Sequence, residues 1–248
     1  MKNVCLKSLI VLAVLTSSSL VKAENKTVVM KPQFIFTPKS FDSNDNAQIV
    51  LAGAFTGYCM KMGNTQQRVD KELKKIYIKQ LVSKTGNCDD LEMYIPYSNV
   101  INLGSLPAGN YEVLAANENA SFTKMSMLPV HEASANTSGT DERLYAPVSS
   151  IDFKIAGSLS SPVVTLKGVF TNSCLQLSGV EVYSRTGDVY EVLPIVKKGN
   201  ANCTAVMRPF AKTIELKNFS TRVSLIHVRS MNGQSLNRVI TNLDRLNQ

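Results

Sequence analysis

Residues 53–59 read Gly-Ala-Phe-Thr-Gly-Tyr-Cys, and residues 168–174 read Gly-Val-Phe-Thr-Asn-Ser-Cys. On either side of this pair, at an offset of 115, Pro32 falls on Pro147, Ile49 on Val164 and Leu51 on Leu166. Asn87-Cys88 falls on Asn202-Cys203, so both cysteine pairs lie 29 residues apart. The offset then drifts to 113, where Pro96-Tyr97 meets Pro209-Phe210 and Leu103 meets Leu216. So many matches in one order mean an internal duplication. Each copy has the size of an ordinary β-sandwich, about 100 residues.

Within each copy the apolar residues come in short runs rich in Val, Ile, Phe and Tyr, with no sustained 3.6-residue stripe. In the first copy the runs predict strands over 28–36, 49–55, 73–82, 91–97, 100–103, 110–116 and 121–127. Leu91, Met93, Ile95 and Tyr97 alternate with Glu92, Tyr94 and Pro96, as a half-buried strand does. Pro96 has no N–H to give a ladder, so it marks an edge or a bulge. Leu106-Pro107-Ala108-Gly109-Asn110 is a tight turn, with Pro presetting one corner and Gly accepting positive φ at another. Gln67 to Lys75 is the one stretch that suits a helical turn. In the second copy strands are expected over 151–156, 163–170, 180–183, 189–196, 204–210, 214–216 and 222–229, with a hairpin turn at Thr186-Gly187-Asp188. The pattern is all-β: an antiparallel sandwich first, a small barrel second.

His131 to Ala146 reads HEASANTSGTDERLYA, rich in Ser, Thr, Asn and acids and without an apolar period. It predicts a linker. The organisation expected is therefore a leader over 1–23, one sandwich over 24–130, the linker over 131–146 and a second sandwich over 147–248.

The leader is read from its order of residue types. Lys2 and Lys7 precede a short apolar run, Leu9 to Leu15, then Ser17, Ser18 and Ser19, then Val21-Lys22-Ala23 at a cleavage position. The run is too short to span a bilayer, which takes about 20 apolar residues. Cys5 sits in the charged part of the leader rather than at a lipidation site. The chain is thus expected in the periplasm or outside the cell, with no transmembrane segment. Loss of the leader removes Lys2, Lys7 and Lys22 and no acid, taking the formal charge from +8 to +5.

Without Cys5, four cysteines remain for an oxidising compartment. Three pairings are possible, and the equal spacing selects Cys59–Cys88 and Cys174–Cys203. Closing a loop of about 30 residues stabilises by roughly 3 to 4 kcal/mol in the chain-entropy account. There is no Cys-x-x-Cys and no neighbouring His, so the thiols do not read as a zinc site.

Gly53, Phe55, Cys59, Cys88, Pro96, Tyr97, Leu103, Leu106, Pro107, Gly109 and Tyr111 together resemble small Ig-like domains of bacterial exported proteins and lipoproteins of uncharacterised function. The resemblance covers most of the first copy and about two thirds of the second. The second departs where Asn218-Phe219-Ser220-Thr221-Arg222 replaces the Leu-Pro-x-Gly turn. What it implies is a fold, two tandem antiparallel Ig-like sandwiches with one disulfide each, and no chemistry.

No catalytic residue, cofactor site or metal site is assigned. His131 lies in the expected linker and His227 between Ile226 and Val228, and no Gly-x-Ser-x-Gly accompanies either. Asp89-Asp90 reads as a solvated loop, and Met60, Met62, Met125 and Met127 as packing. The chain has no Trp, which weakens a carbohydrate platform, and no Arg/aromatic interleaving of the kind that tracks nucleic acid. The function expected is a non-enzymatic binding or structural protein acting on a protein or cell-envelope polymer, the alternative being a secreted inhibitor or hydrolase. The contacts expected are Gly57-Tyr58, their counterparts Asn172-Ser173, and the basic stretch with Lys71, Lys74, Lys75 and Lys79.

Overall fold

The computed structural model describes residues 25–86, 93–133, 143–155, 162–184, 188–199, 202–217, 219 and 223–241. The expected leader, Cys88, Asp89-Asp90, residues 134–142 of the expected linker and Thr186-Gly187 lie outside the described residues. No helix occurs among those described.

Strands in the first half are β1 (Asn25–Val29), β2 (Phe34–Phe36), β3 (Ala47–Thr56), β4 (Met60–Asp70), β5 (Lys75–Thr85), β6 (Tyr94–Gly104), β7 (Gly109–Ala116) and β8 (Phe122–Val130). The second half has β9 (Val148–Ile155), β10 (Pro162–Asn172), β11 (Leu175–Tyr183), β12 (Val189–Lys198), β13 (Ala205–Glu215), β14 (Val223–Ser230) and β15 (Gln234–Thr241). One sheet of the first half runs β2-β3-β6 and the other joins β4, β5, β7 and β8, with β1 on β5. The second half repeats both: β9-β10-β13 and β11-β12-β14-β15. Even β1 has a trace, since Tyr145 bridges Ile195 and the Ala146 N–H bonds Pro194 O as that of Met30 bonds Gln80 O.

Each pair of sheets encloses a core. Ile49 and Leu51 of β3 meet Ile76 and Ile78 of β5, Val113 of β7 and Leu128 of β8. Val164 and Leu166 of β10 meet Tyr190 and Val192 of β12 and Ile226 and Val228 of β14. Both cores are built from every second residue of their strands, the period that puts alternate side chains on one face.

Several expectations are corrected. The sheets are mixed rather than wholly antiparallel: β5 with β7 and β12 with β14 are parallel pairs. In each case a strand of the opposite sheet, β6 or β13, intervenes, and such a crossover is what brings the chain back in the same direction. Gln67 to Lys75 forms no helical turn. β4 continues to Asp70, which pairs with Lys75 across a turn closed by the Leu73 N–H on Asp70 Oδ1 at 2.9 Å. The charges there are compatible with either state, and pairing to the apolar β5 decides. The run 28–36 divides at Met30–Gln33 as the chain changes sheets. The expected strand 91–97, from Tyr94 on, and the expected 100–103 fall in one strand, β6, and 204–210 and 214–216 fall in β13, which runs from Ala205 to Glu215. Strands β4 and β15 have no counterpart among the predicted strands, because β4 is mostly polar and the apolar residues of β15 are spaced by Asn237 and Arg238. Pro96 does lie on an edge, since β6 ends its sheet.

The third apolar cluster joins the halves. Phe36 of β2 and Val50 and Ala52 of β3 point away from the first core and pack on Val223 and Leu225 of β14. β14 is buried at all eight positions, and β3 everywhere but Thr56. The β2-β3-β6 sheet of one half therefore lies on the β12-β14-β15 face of the other.

Candidate functional site

The expected contact residues are not brought together. Gly57-Tyr58 turn from β3 into β4, with Gly57 at φ 98° and Tyr58 exposed. Lys71 and Lys74 lie at the other end of the eleven-residue β4, about 35 Å away at strand rise. Lys74 is occupied by the fold: its Nζ donates to Ala108 O at 3.0 Å and lies 4.9 Å from the Tyr111 ring centre. Tyr111 Oη in turn donates to Pro107 O at 2.9 Å. Lys71 Nζ reaches Ser105 O at 3.3 Å. Both lysines thus tie down the Leu106–Asn110 turn, while Lys75 and Lys79 stay on β5.

Asn172 and Ser173 are likewise spent on structure. Asn172 Oδ1 accepts the N–H groups of Cys174 and Leu175, and Ser173 Oγ accepts the N–H of Thr204. They shape the β10–β11 turn and tie it to the segment before β13, the two places that the Cys174–Cys203 disulfide joins. Cys59 is also disulfide-bonded; its expected partner Cys88 is outside the described residues.

The duplicated Gly-x-Phe has a packing cause. A Cβ on Gly53 would stand 2.6 Å from Tyr97 Oη, and one on Gly168 2.7 Å from Phe210 Cε1 and 2.0 Å from Pro147 O. Each glycine lets the aromatic after the proline lie flat on the strand. There it packs on the phenylalanine two residues along, Phe55–Tyr97 stacked at 4.6 Å and Phe170–Phe210 tilted by 31° at 4.8 Å. These residues shape the fold.

The polar constellation that sequence reasoning missed lies in the seam between the halves. Arg229 of β14, 1 % exposed, meets Asp45 of the β2–β3 loop at 2.5 Å. Its guanidinium also lies over the rings of Phe41 and Tyr145, at 5.4 and 5.5 Å. Glu191 of β12 accepts the backbone N–H of Lys39. Beside them runs a chain of hydrogen bonds from one half to the other. His227 Nδ1 donates to Asn237 Oδ1 at 2.7 Å, Asn237 Nδ2 to Gln48 Oε1 at 2.7 Å, and Gln48 Nε2 to Asn102 Oδ1 at 2.7 Å. The one available signal was in the run Val-Ser-Leu-Ile-His-Val-Arg-Ser over 223–230, where both alternating sets mix apolar and polar residues, His227 and Arg229 in one and Ser224 and Ser230 in the other.

His227 is fully buried, its ring edge-on to Phe41 at 5.2 Å. Burial pushes its pKa down to about 4, helped by Arg229 and opposed by the Asn237 bond and Asp45. The imidazole is neutral near pH 7, walled off from any substrate.

Among the described residues no three His, Cys, Asp or Glu side chains gather as metal ligands would, and no helix is long and apolar enough to cross a membrane. Compared with family models, curated proteins and solved structures, the chain matches none.

Proposed function

We infer that the chain is an exported, non-enzymatic binding or structural protein of the periplasm or cell surface, built of two Ig-like sandwich domains that act as one rigid piece. The observation that carries this is the seam. Apolar side chains from both halves and a buried ion pair meet where two freely tethered domains would keep polar, solvated faces. A piece of this kind presents its outer sheet faces and end loops at fixed separation, which suits capture or spacing rather than the closing of a cleft.

The hydrolase alternative needs a base that reaches substrate. His227, the one histidine set among polar partners in the interior, is enclosed on all sides. Affinity capture on the intact mature chain from native envelope extract tests the reading. Retention of one envelope component at fixed stoichiometry, with the leader absent from the intact mass, is the result expected. Turnover of a substrate by the native chain that disappears in a folded His227→Gln variant overturns it.

A further inference from the structure

Ile76 and Ile78 of β5 point into the first core, so Lys75, Tyr77 and Lys79 stand on the opposite, outer face. The register extends that face across the sheet. Asp70, Arg68 and Gln66 of β4 lie opposite Lys75, Tyr77 and Lys79, and Glu112 and Leu114 of β7 lie beside Lys75 and Tyr77. On β8, Lys124 is opposite Leu114 and Phe122 opposite Ala116.

The side chains make a continuous surface. The Arg68 guanidinium lies 4.2 Å from the Tyr77 ring centre, and Tyr77 meets Phe122 edge-on at 5.2 Å and 85°. Phe122 is 45 % exposed. Lys124 holds Glu112 at 2.8 Å, and that ion pair draws the Glu112 pKa below its ordinary value. Arg68, Lys75 and Lys79 are left facing Asp70 as the acid not so paired, so the face is cationic around an apolar, partly aromatic centre.

The corresponding face of the second half is the covered one. Val189, Glu191 and Leu193 stand where Lys75, Tyr77 and Lys79 stand, and Leu225 and His227 where Glu112 and Leu114 do. What the first half exposes is therefore the sheet surface that this architecture uses for contact, re-equipped with cations and rings.

We propose that the outer face of β4, β5, β7 and β8 binds a linear anionic polysaccharide, with Phe122 against a sugar ring and Arg68, Lys75 and Lys79 on its acidic groups. The proposal rests on the binding reading above and names its ligand class. An arginine held over an aromatic ring keeps its planar donor fork preorganised for carboxylate or sulfate. A single exposed ring suits a sugar's C–H face, whereas single-stranded nucleic acid is held by several rings taking successive bases.

Polygalacturonate titrated calorimetrically into the mature full chain at low salt is the test. Binding is expected, weakened more than about tenfold by Arg68→Ala/Lys79→Ala, weakened less by Phe122→Ser, and unchanged by Lys197→Ala/Lys198→Ala, which removes the same charge from the second half. The proposal fails if the native chain does not bind, if the Lys197/Lys198 variant loses as much, or if single-stranded DNA binds more tightly than polygalacturonate. It also fails, with the binding reading intact, if Arg68→Ala/Lys79→Ala captures an envelope ligand at native strength.

Discussion

Strands β3 and β10 occupy the same place in the two halves, and their inward residues match: Ile49 and Leu51 against Val164 and Leu166. Their outward residues do not. β3 shows Gln48, Val50 and Ala52, all buried against the second half, where β10 shows Val163, Thr165 and the exposed Lys167. The other sheet differs in the complementary way, since β14 turns Val223, Leu225, His227 and Arg229 outward and β7 turns Asn110, Glu112, Leu114 and Ala116. The inward set makes each sandwich, and the outward set decides whether that sandwich has a neighbour. One scaffold thus carries a second, separable code on its alternate residues.

The ion pairs break the comparison most sharply. Arg229→Ala strands the Asp45 carboxylate in the seam and should cost about 3 to 5 kcal/mol, read as a lower denaturant midpoint. In the second half the Lys167–Asp152 pair, at 2.5 Å, crosses an outer face with both side chains about half exposed. Lys167→Ala should cost less than about 1 kcal/mol. Equal losses for the two variants would mean that the seam is not closed in solution.

The glycines come next. Gly168→Ala drives a Cβ into the backbone carbonyl of Pro147, which has little room to yield, and should destabilise by about 3 kcal/mol or more. At Gly53 the nearest atoms are the far end of the Tyr97 side chain, so Gly53→Ala should cost about 1 to 2 kcal/mol. Thermal or urea unfolding of the two variants gives the order directly, and a reversed order would contradict the packing described for Pro147.

A smaller effect separates His227 from its counterpart Leu114. The folded pKa of His227, about 4, lies below the unfolded value near 6.5. The unfolded chain therefore takes up a proton first, and stability is whole above pH 6.5 and declines as pH falls toward 4. Between about pH 7.5 and 5 the loss should be roughly 2 kcal/mol. His227→Gln should flatten that part of the profile, and an unchanged slope in the variant would assign the loss to other groups.

Much of the fold was legible because the residues that set it are local or repeated. Gly53, Phe55 and Tyr97 recur as Gly168, Phe170 and Phe210, and with the equally spaced cysteines that recurrence exposes the duplication. Most strands followed from their apolar runs, though not the polar β4 or β15, and the sheet to which each strand belongs did not. Alternation in β5 and β7 is the same whether they pair parallel or antiparallel. The stretch 67–75 was ambiguous because Lys and Glu suit helix and strand surface alike. The seam was illegible for a different reason: Asp45 and Arg229 are 184 residues apart, and no periodicity links them. An expected linker separating the halves also concealed that Tyr145 and Ala146, at its end, are already buried in the second half.

The seam joins two unlike faces, the β3 side of one copy and the β14 side of the next. Repeated without change, a contact of that type closes into a ring where its rotation allows and otherwise runs on as an open filament. Two copies in one chain leave a β3-type surface free on the second half, at Thr165 and Lys167, where a third copy or another molecule would have to dock. There a hydroxyl and the paired Lys167–Asp152 charges stand in place of Val50 and Ala52, so this surface offers a newcomer none of the apolar contact that β3 gives β14.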